Sequence, residues 1–323
     1  MRFTSLIPLA LASFAFAAPT PTVEERSDIV KRASVNDGPT TGYATQNGGT
    51  TGGRGGSTTT VSSFAEFSAA VSGDAAKIVI VSGSISSSGS VKIGSNKSII
   101  GKDSSAVLSG FTLSVKNAKN VIIRNLAVKK VVGGDAIAVQ LATNVWLDHL
   151  DLSSDLDHDK DYYDGLIDFT HAADFITVSN SYIHDHWKAS LIGHSDNNAA
   201  EDTGHLRVTY HNNYWKNVNS RGPSIRFGTG HIFNNYFESV NDGINTRQGA
   251  QVLVQNNVWS NGKKALYSTD AGYAVESGND FGGATHDALK GTLTSVPYSG
   301  YSLLAASAVK GAVVGSAGAT LKF

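Results

Sequence analysis

Apolar and polar residues alternate in short segments that recur along the chain at intervals of roughly one solenoid coil. Pairs such as Val121 and Ile123, or Val252 and Val254, place apolar side chains on one face of a short strand. Each segment ends on a polar residue, usually asparagine: Asn125, His149, Asn180, Asn212, Asn234 and Asn256. These marked residues lie 24, 31, 32, 22 and 22 positions apart, which is irregular but within the range of a repeated coil.

The repeats predict an all-β protein, and a right-handed parallel β-helix is the simplest fold that fits them. Stacked coils place like residues on like, so the marked asparagines are expected to hydrogen-bond to one another at the corners. Ser63 and Glu66, followed by apolar residues at helical spacing, predict a short helix that caps the first coil. The repeat is lost after Ala284, and the small residues from Ala305 to Ala319 predict a tail packed along the outside.

The N-terminus has the pattern of a secretory signal peptide over residues 1–18, where Arg2 precedes an apolar run that is too short to span a membrane. Lys31-Arg32 is a dibasic pair of the kind that processing proteases cut. Residues 19–32 are therefore predicted to be a pro-segment and residues 33–323 the β-helix domain. We expect a secreted, extracellular protein without a membrane anchor.

Composition excludes several classes of function. The 323 residues include 26 Lys and Arg against 27 Asp and Glu, without a basic block, so a nucleic-acid-binding face is not expected. There is no cysteine, and stability in an oxidising compartment must come from the core and the hydrogen-bonded ladder. Asn96-Lys97-Ser98 is a sequon, which predicts glycosylation of Asn96 on a surface turn. The protein is expected to be a monomer.

Aspartates are densest between Asp148 and Asp168, and carboxylates this crowded repel one another unless cations compensate. A solvated acidic loop is one interpretation. An EF-hand fits poorly because Lys160 occupies the position where that loop needs glycine. Asp164 and Asp168, four residues apart at the start of an apolar run, are predicted to share one face of a strand and to suit a hard cation such as calcium.

Two basic motifs follow the acidic run. His184, His186 and Lys188 would alternate onto one face of a strand, and a zinc-binding histidine pair is a second interpretation that lacks a clear third ligand. Arg221 and Arg226 flank a proline. They are either two surface arginines in a turn or a fork that grips carboxylates.

Three runs in matching order resemble the signature motifs of the extracellular pectate lyases of polysaccharide lyase family 1, and in particular its fungal branch. They are NVWLDH at 144–149, DYYDGLID at 161–168 and RGPSIR at 221–226. The resemblance extends from about Thr51 to Val309 and implies the same β-helix.

Residue roles follow from this resemblance by motif. Asp135, Asp164 and Asp168 correspond to the calcium ligands of the family. Lys188 and Arg226 correspond to its substrate-binding residues, and Arg221 to its proposed catalytic base. Asp148 and His149 match a family motif away from the cleft and are expected to be structural. Gly133 stands where some bacterial relatives carry a further aspartate.

The implied activity is calcium-dependent, endo-type β-elimination on polygalacturonate or low-methyl pectin, with Ca²⁺ as cofactor and the polysaccharide as partner. A base removes the C5 proton beside the uronate carboxylate, and the C4–O bond breaks to leave a 4,5-unsaturated sugar. Two rivals stay open: a pectin lyase acting on methylated pectin, and a β-helix polygalacturonase, which hydrolyses with an acid and an activated water. A non-enzymatic β-helix, such as an adhesin, would have no reason to assemble these aspartates, lysine and arginines.

Overall fold

The computed structural model describes Met1 and residues 33–323, and residues 33–323 belong to one compact unit. The predicted signal peptide and pro-segment lie outside the described residues, apart from Met1. None of the helices in the described part of the chain is long and apolar enough to cross a membrane.

Parallel strands stack along three faces of a solenoid, and this confirms the predicted parallel β-helix. The first face is a ten-stranded sheet: β1 Ser57–Val61, β2 Lys77–Val81, β4 Lys97–Gly101, β6 Lys119–Arg124, β9 Thr143–Asp148, β12 Asp174–Ser179, β15 Arg207–His211, β18 Thr229–Phe233, β21 Gln251–Gln255 and β24 Tyr273–Ser277. We call the second face the cleft face: β8 Ile137–Gln140, β11 Ile167–Thr170, β14 Ser190–Ile192, β17 Ser224–Arg226, β20 Asp242–Arg247, β23 Lys264–Ser268 and β25 Thr285–His286. The third face is the outer face: β7 Ala127–Lys129, β10 Asp151–Ser153, β13 Tyr182–Lys188, β16 Tyr214–Ser220, β19 Tyr236–Val240 and β22 Val258–Ser260. Two long strands, β3 Ser84–Ile93 and β5 Val107–Lys116, join the cleft and outer faces at the N-terminal end.

Short helices close or cover this solenoid. The predicted capping helix is confirmed as α1, Phe64–Val71: the Ser63 side chain accepts from the Glu66 N–H, and the Glu66 carboxylate accepts from the Ser63 N–H. The remaining helices are a 3-10 turn at Tyr43–Thr45, α2 at Ala199–Asp202 and α3 at Ala306–Val313. Apolar residues of α3 pack against tyrosines of the outer face, so the prediction of an outside tail is also confirmed.

The core is built from columns of apolar side chains. Parallel register places Val79, Ile99, Ile123, Leu147 and Val178 at equivalent positions of five successive coils, and each is fully buried. Complete burial of such a side chain stabilises the fold by about 1.5–3 kcal/mol. Because apolar residues alternate within each strand and successive strands are in register, their buried side chains form a continuous hydrophobic column along the solenoid axis.

The six marked corner residues adopt left-handed backbone conformations, with φ between 48° and 57°, which asparagine tolerates better than most residues. The expectation that they hydrogen-bond to one another is wrong. The C-terminal tail instead engages the side-chain amides of three of them: Asn125 pairs with the backbone of Leu321, Asn234 with that of Leu304, and Asn256 donates to the Leu304 carbonyl.

The amide ladder lies one residue further along the chain, at Asn213, Asn235, Asn257 and Asn279. Successive Nδ2-to-Oδ1 distances are 3.0, 2.9 and 3.1 Å. Each accepting Oδ1 also takes the backbone N–H of the preceding coil's asparagine at 2.9 Å. The ladder thus satisfies buried backbone groups at a sharp corner, as a buried turn requires.

Substitution of Asn235 tests the ladder. Alanine leaves the Asn213 N–H without its side-chain acceptor and removes the Asn235 amide that donates to the carbonyls of Tyr210 and Phe233. We expect the free energy of unfolding to fall by about 2–4 kcal/mol, measured by guanidinium denaturation. The matched control is Asn279→Ala at the partly exposed end of the ladder, where the expected loss is about 1 kcal/mol. Equal losses in the two variants would contradict a cooperative buried ladder.

Candidate active site

A cavity of about 330 Å³ on the cleft face contains most of the charged residues that sequence reasoning selected. Its lining includes Asp135, Asp164, Asp168 and Arg221. Asp135 lies in the loop before β8, Asp164 in the loop before β11, Asp168 within β11, and Arg221 just before β17. Three of these four side chains therefore come from loops that precede strands of the cleft face, and the fourth comes from a strand.

Asp135 and Asp168 form a close pair of carboxylates. The Gly165 N–H donates to Asp135 Oδ1 at 2.8 Å, and the Leu191 N–H donates to Asp168 Oδ1 at 3.0 Å. Burial raises the pKa of both, and that of Asp168 lies well above its ordinary value because the Asp135 charge adds to the effect of burial. The positive charge of Arg221 opposes both shifts.

Glycine at position 165 leaves the space between these carboxylates open. A Cβ there would lie 2.5 Å from Asp168 Oδ1 and 2.8 Å from Asp135 Oδ1, closer than any side chain tolerates. Two converging carboxylates around an open space, in a setting that disfavours their negative charge, are a donor set that suits a hard divalent cation.

Asp164 does not share a strand face with Asp168, and that prediction is wrong. The strand begins only at Ile167, and Asp164 is exposed in the preceding loop. The buried imidazole of His186 donates from Nε2 to the Asp164 carbonyl at 2.8 Å and so fixes the loop. Burial lowers the pKa of His186 to about 4, so this imidazole is neutral at ordinary pH.

Lys188 is held by the same loop. Its Nζ lies 2.9 Å from Asp164 Oδ1 and 2.9 Å from Asp161 Oδ1. This pairing raises the pKa of Lys188, although burial alone would lower it. Among the described residues no group of three or more His, Cys, Asp or Glu is placed to hold a metal ion. We attribute this to the carboxylate of Asp164, which is engaged by Lys188.

The three residues His184, His186 and Lys188 do not line one face of β13, contrary to the prediction. Asp185 between the histidines has a φ of 50°, which breaks the alternation of the strand. His184 contacts Asp151 and Asp185, whereas His186 is buried. The zinc interpretation finds no support in this separation.

The two arginines of the RGPSIR run differ in their surroundings. The Arg221 side chain makes no hydrogen bond or ion pair within the described part of the chain, and it faces the aspartates. Arg226 is anchored: Nε pairs with Asp196, and Nη1 donates to the Gly193 carbonyl at 2.9 Å. No described residue accepts a hydrogen bond from Arg226 Nη2, and the Arg226 side chain is 11% exposed.

Asn96 lies at a corner of the solenoid with a φ of 57°. Its Nδ2 donates to the Asp74 carbonyl at 3.0 Å, and its Oδ1 accepts from Asn120 at 2.9 Å. Lys97, the middle residue of the sequon, is fully buried and donates to three backbone carbonyls. Glycosylation of Asn96 stays a prediction.

The motif residues Asp148 and His149 form a buried structural cluster. Asp148 accepts from Arg124, Ser179 and Asn180 and contacts His149. These contacts hold the pKa of Asp148 at about 2 despite its burial.

Sequence reasoning missed several residues that shape the site. Asp161 pairs with Lys188, Asp196 pairs with Arg226, and Gly165 keeps the space between the carboxylates open. Asp161 and Gly165 lie inside the DYYDGLID run, so their position within this motif could have identified them as site residues. No local pattern marks Asp196, because its partner is 30 residues away.

Known proteins resemble this chain in sequence and in fold. The family described as Pectate lyase matches residues 27–321. The chain belongs to the pectate lyase family. A protein from Neosartorya fischeri named probable pectate lyase A is 67% identical over 327 residues, covering 100% of both chains. Pectate lyase A from Emericella nidulans is 65% identical over 313 residues, covering 96% of this chain and 95% of that protein.

Solved pectate lyases share the solenoid. The structure of a Bacillus pectate lyase in complex with trigalacturonate has a TM-score of 0.78 and 34% identity, and the match covers 87% of this chain and 98% of that one. A Xanthomonas campestris pectate lyase variant has a TM-score of 0.74 and 28% identity over 87% of this chain and 98% of that one. The fold found here is therefore that of the family.

Neutralising Asp168 tests the electrostatic description. A carboxylate whose pKa is raised by folding destabilises the protein above its ordinary pKa, and this cost is absent at low pH, where the group is protonated in both states. Without divalent cations, Asp168→Asn should raise the free energy of unfolding at neutral pH by about 1 kcal/mol and change it little near pH 3. Urea denaturation at both pH values measures this.

Asp164→Asn is the matched control, because Asp164 is exposed and paired with Lys188. No gain in stability is expected for it. Two results would contradict the view that the Asp168 charge destabilises the fold. One is an equal gain in the free energy of unfolding for both variants, and the other is a gain for Asp168→Asn that persists at low pH.

Proposed function

We propose that this enzyme is a secreted, calcium-dependent pectate lyase that cleaves polygalacturonate and low-methyl pectin internally by β-elimination. The observation that carries the proposal is a pair of carboxylates, the partly buried Asp135 and the buried Asp168, in one cavity with the guanidinium of Arg221. That guanidinium has no hydrogen-bond partner among the described residues. Two carboxylates alone would repel an anionic polymer. A divalent cation between them reverses the local sign, and a cation beside it completes a site for uronate.

Asp135, Asp168 and Asp164 would hold the calcium ion. Asp135 and Asp168 converge on the space that Gly165 leaves open, and the Asp164 carboxylate becomes a third donor when it leaves Lys188. Bound calcium would bind the uronate carboxylate and stabilise the negative charge that develops beside C5. Release of Asp164 also removes one of the two carboxylates paired with Lys188, so that calcium binding would make Lys188 more available to the substrate.

The cationic side chains have two separate roles, substrate binding and proton removal. Lys188 and Arg226 Nη2 bind and orient uronate carboxylates, for which charge-assisted hydrogen bonds are suited. Arg221, which has no competing partner in the described structure, lies where the C5 proton is removed, and we assign it as the base. Because a guanidinium is protonated in water, the role of Arg221 as the base is tested directly by the substitution described below.

Endo-type cleavage is supported by the position of the cavity along the solenoid. The cleft face continues beyond β8 through β5 and β3 on one side, and beyond β14 through β17 and β20 on the other. A polymer lying along this face can therefore extend past the site in both directions. The enzyme is proposed to act as a monomer.

The activity assay follows the ultraviolet absorbance of the 4,5-unsaturated product on polygalacturonate. We expect absorbance to rise with calcium and the rise to be abolished by a chelator. Reducing ends without this absorbance would identify a polygalacturonase-type hydrolase. A rise that ignores the chelator and prefers methylated pectin would identify a pectin lyase. Both outcomes overturn the proposal.

Arg221→Lys tests the role of the guanidinium. Lysine keeps the positive charge but places it on a different, shorter group, so we expect kcat to fall at least about 100-fold while KM changes less than threefold. Calcium binding, measured by calorimetry, should be retained because Arg221 is not a ligand. Loss of calcium affinity together with activity would show that Arg221 acts by shaping the aspartate site.

A further inference from the structure

Two histidines line the same cavity as the aspartates and have no part in the proposed reaction. His171 and His194 follow the ends of the paired strands β11 and β14. Their rings stack with centroids 4.1 Å apart and an interplanar angle of 23°. Gln140 and Thr170 lie at paired positions of β8 and β11 and line the cavity beside them.

The stack is held in place by the loop that carries α2. Glu201 Oε2 lies 2.9 Å from His171 Nδ1 and also accepts from Asn198 Nδ2 at 2.9 Å. Asp202 Oδ1 accepts from the backbone N–H of Ala172 at 2.8 Å. Two acidic residues of one short helix thus fix both the corner and the ring that projects from it.

This anchoring determines what the histidines offer to a ligand. Because a carboxylate only accepts, Nδ1 of His171 carries the hydrogen, and Nε2 is directed elsewhere. No hydrogen bond to the ring of His194 occurs in the described part of the chain. His194 is exposed, while the His171 side chain is 37% exposed. Free imidazole nitrogens on a fixed, exposed stack suit hydroxyl and carboxylate groups of a sugar.

We propose that the His171–His194 stack is a saccharide-binding subsite for one galacturonyl unit of the polymer, next to the unit held at the aspartates. Gln140 and Thr170 supply further polar groups to the same unit. This inference rests on the proposed function for the identity of the substrate. The two histidines bind the sugar and take no part in breaking its bonds.

His171→Asn and His194→Ala test the subsite. His171 has a φ of 53°, and asparagine is chosen because it tolerates that conformation. On hexagalacturonate with calcium, each variant should lower kcat/KM about tenfold, the loss of roughly one charge-assisted hydrogen bond. The loss should lie in KM, with kcat within about twofold of the unchanged protein. Glu201→Gln, which keeps the shape of the side chain, should raise KM by a smaller factor.

His286→Ala is the matched control. His286 also contacts a carboxylate, Glu276, and stacks on an aromatic ring, Phe281, but it belongs to β25, four strands further along the cleft face. KM values of both test variants within twofold of the control would overturn the subsite, provided that thermal unfolding shows all three variants folded. Changes confined to kcat would also overturn it.

Failure of the proposed function is distinguishable from failure of the subsite. If the unchanged protein does not cleave hexagalacturonate, calorimetric binding of hexagalacturonate to the unchanged protein and to His194→Ala decides the inference separately. Weaker binding to the variant supports the subsite without the lyase reaction. Equal binding, or no binding to either protein, overturns it.

Discussion

Hydrogen bonds between parallel strands set the distance between equivalent residues of neighbouring coils at about 4.8 Å, and most other features depend on this spacing. At that separation apolar side chains form continuous columns, as Ile99, Ile123 and Leu147 do. Amides at one corner reach each other directly, as in the Asn213–Asn279 ladder. The same spacing brings carboxylates from adjacent coils together, which is favourable only where a cation separates them.

The fold therefore places two carboxylates of the site close enough to repel each other. Asp135 and Asp168 are kept close by backbone N–H donors that belong to neighbouring coils. Around them, cations are already paired with carboxylates of nearby loops: Lys188 with Asp161 and Asp164, and Arg226 with Asp196. Each of these pairs fixes a long, flexible side chain and reduces the entropy that it would lose on binding the proposed uronate ligand.

Sequence alone predicted the solenoid, the capping helix and the outer tail, because each depends on local spacing or on a repeat. It also selected Asp135, Asp168, Asp164 and Arg221, which the fold brings to one cavity. It failed where the backbone leaves regular geometry. The left-handed residue Asp185 reverses the expected side of His186, and the strand that holds Asp168 starts after Asp164. Partners supplied by distant loops, such as Asp196 and Glu201, have no local signature.

The C-terminal tail makes the covering of the corners depend on a segment that is far away along the chain. Leu321 pairs with Asn125, which precedes it by 196 residues, and Leu304 pairs with Asn234. Coils can form by contacts with their immediate neighbours, but the corners stay uncovered until the distant tail packs on them. A chain whose tail has not yet docked therefore exposes corner amides and tyrosines of the outer face.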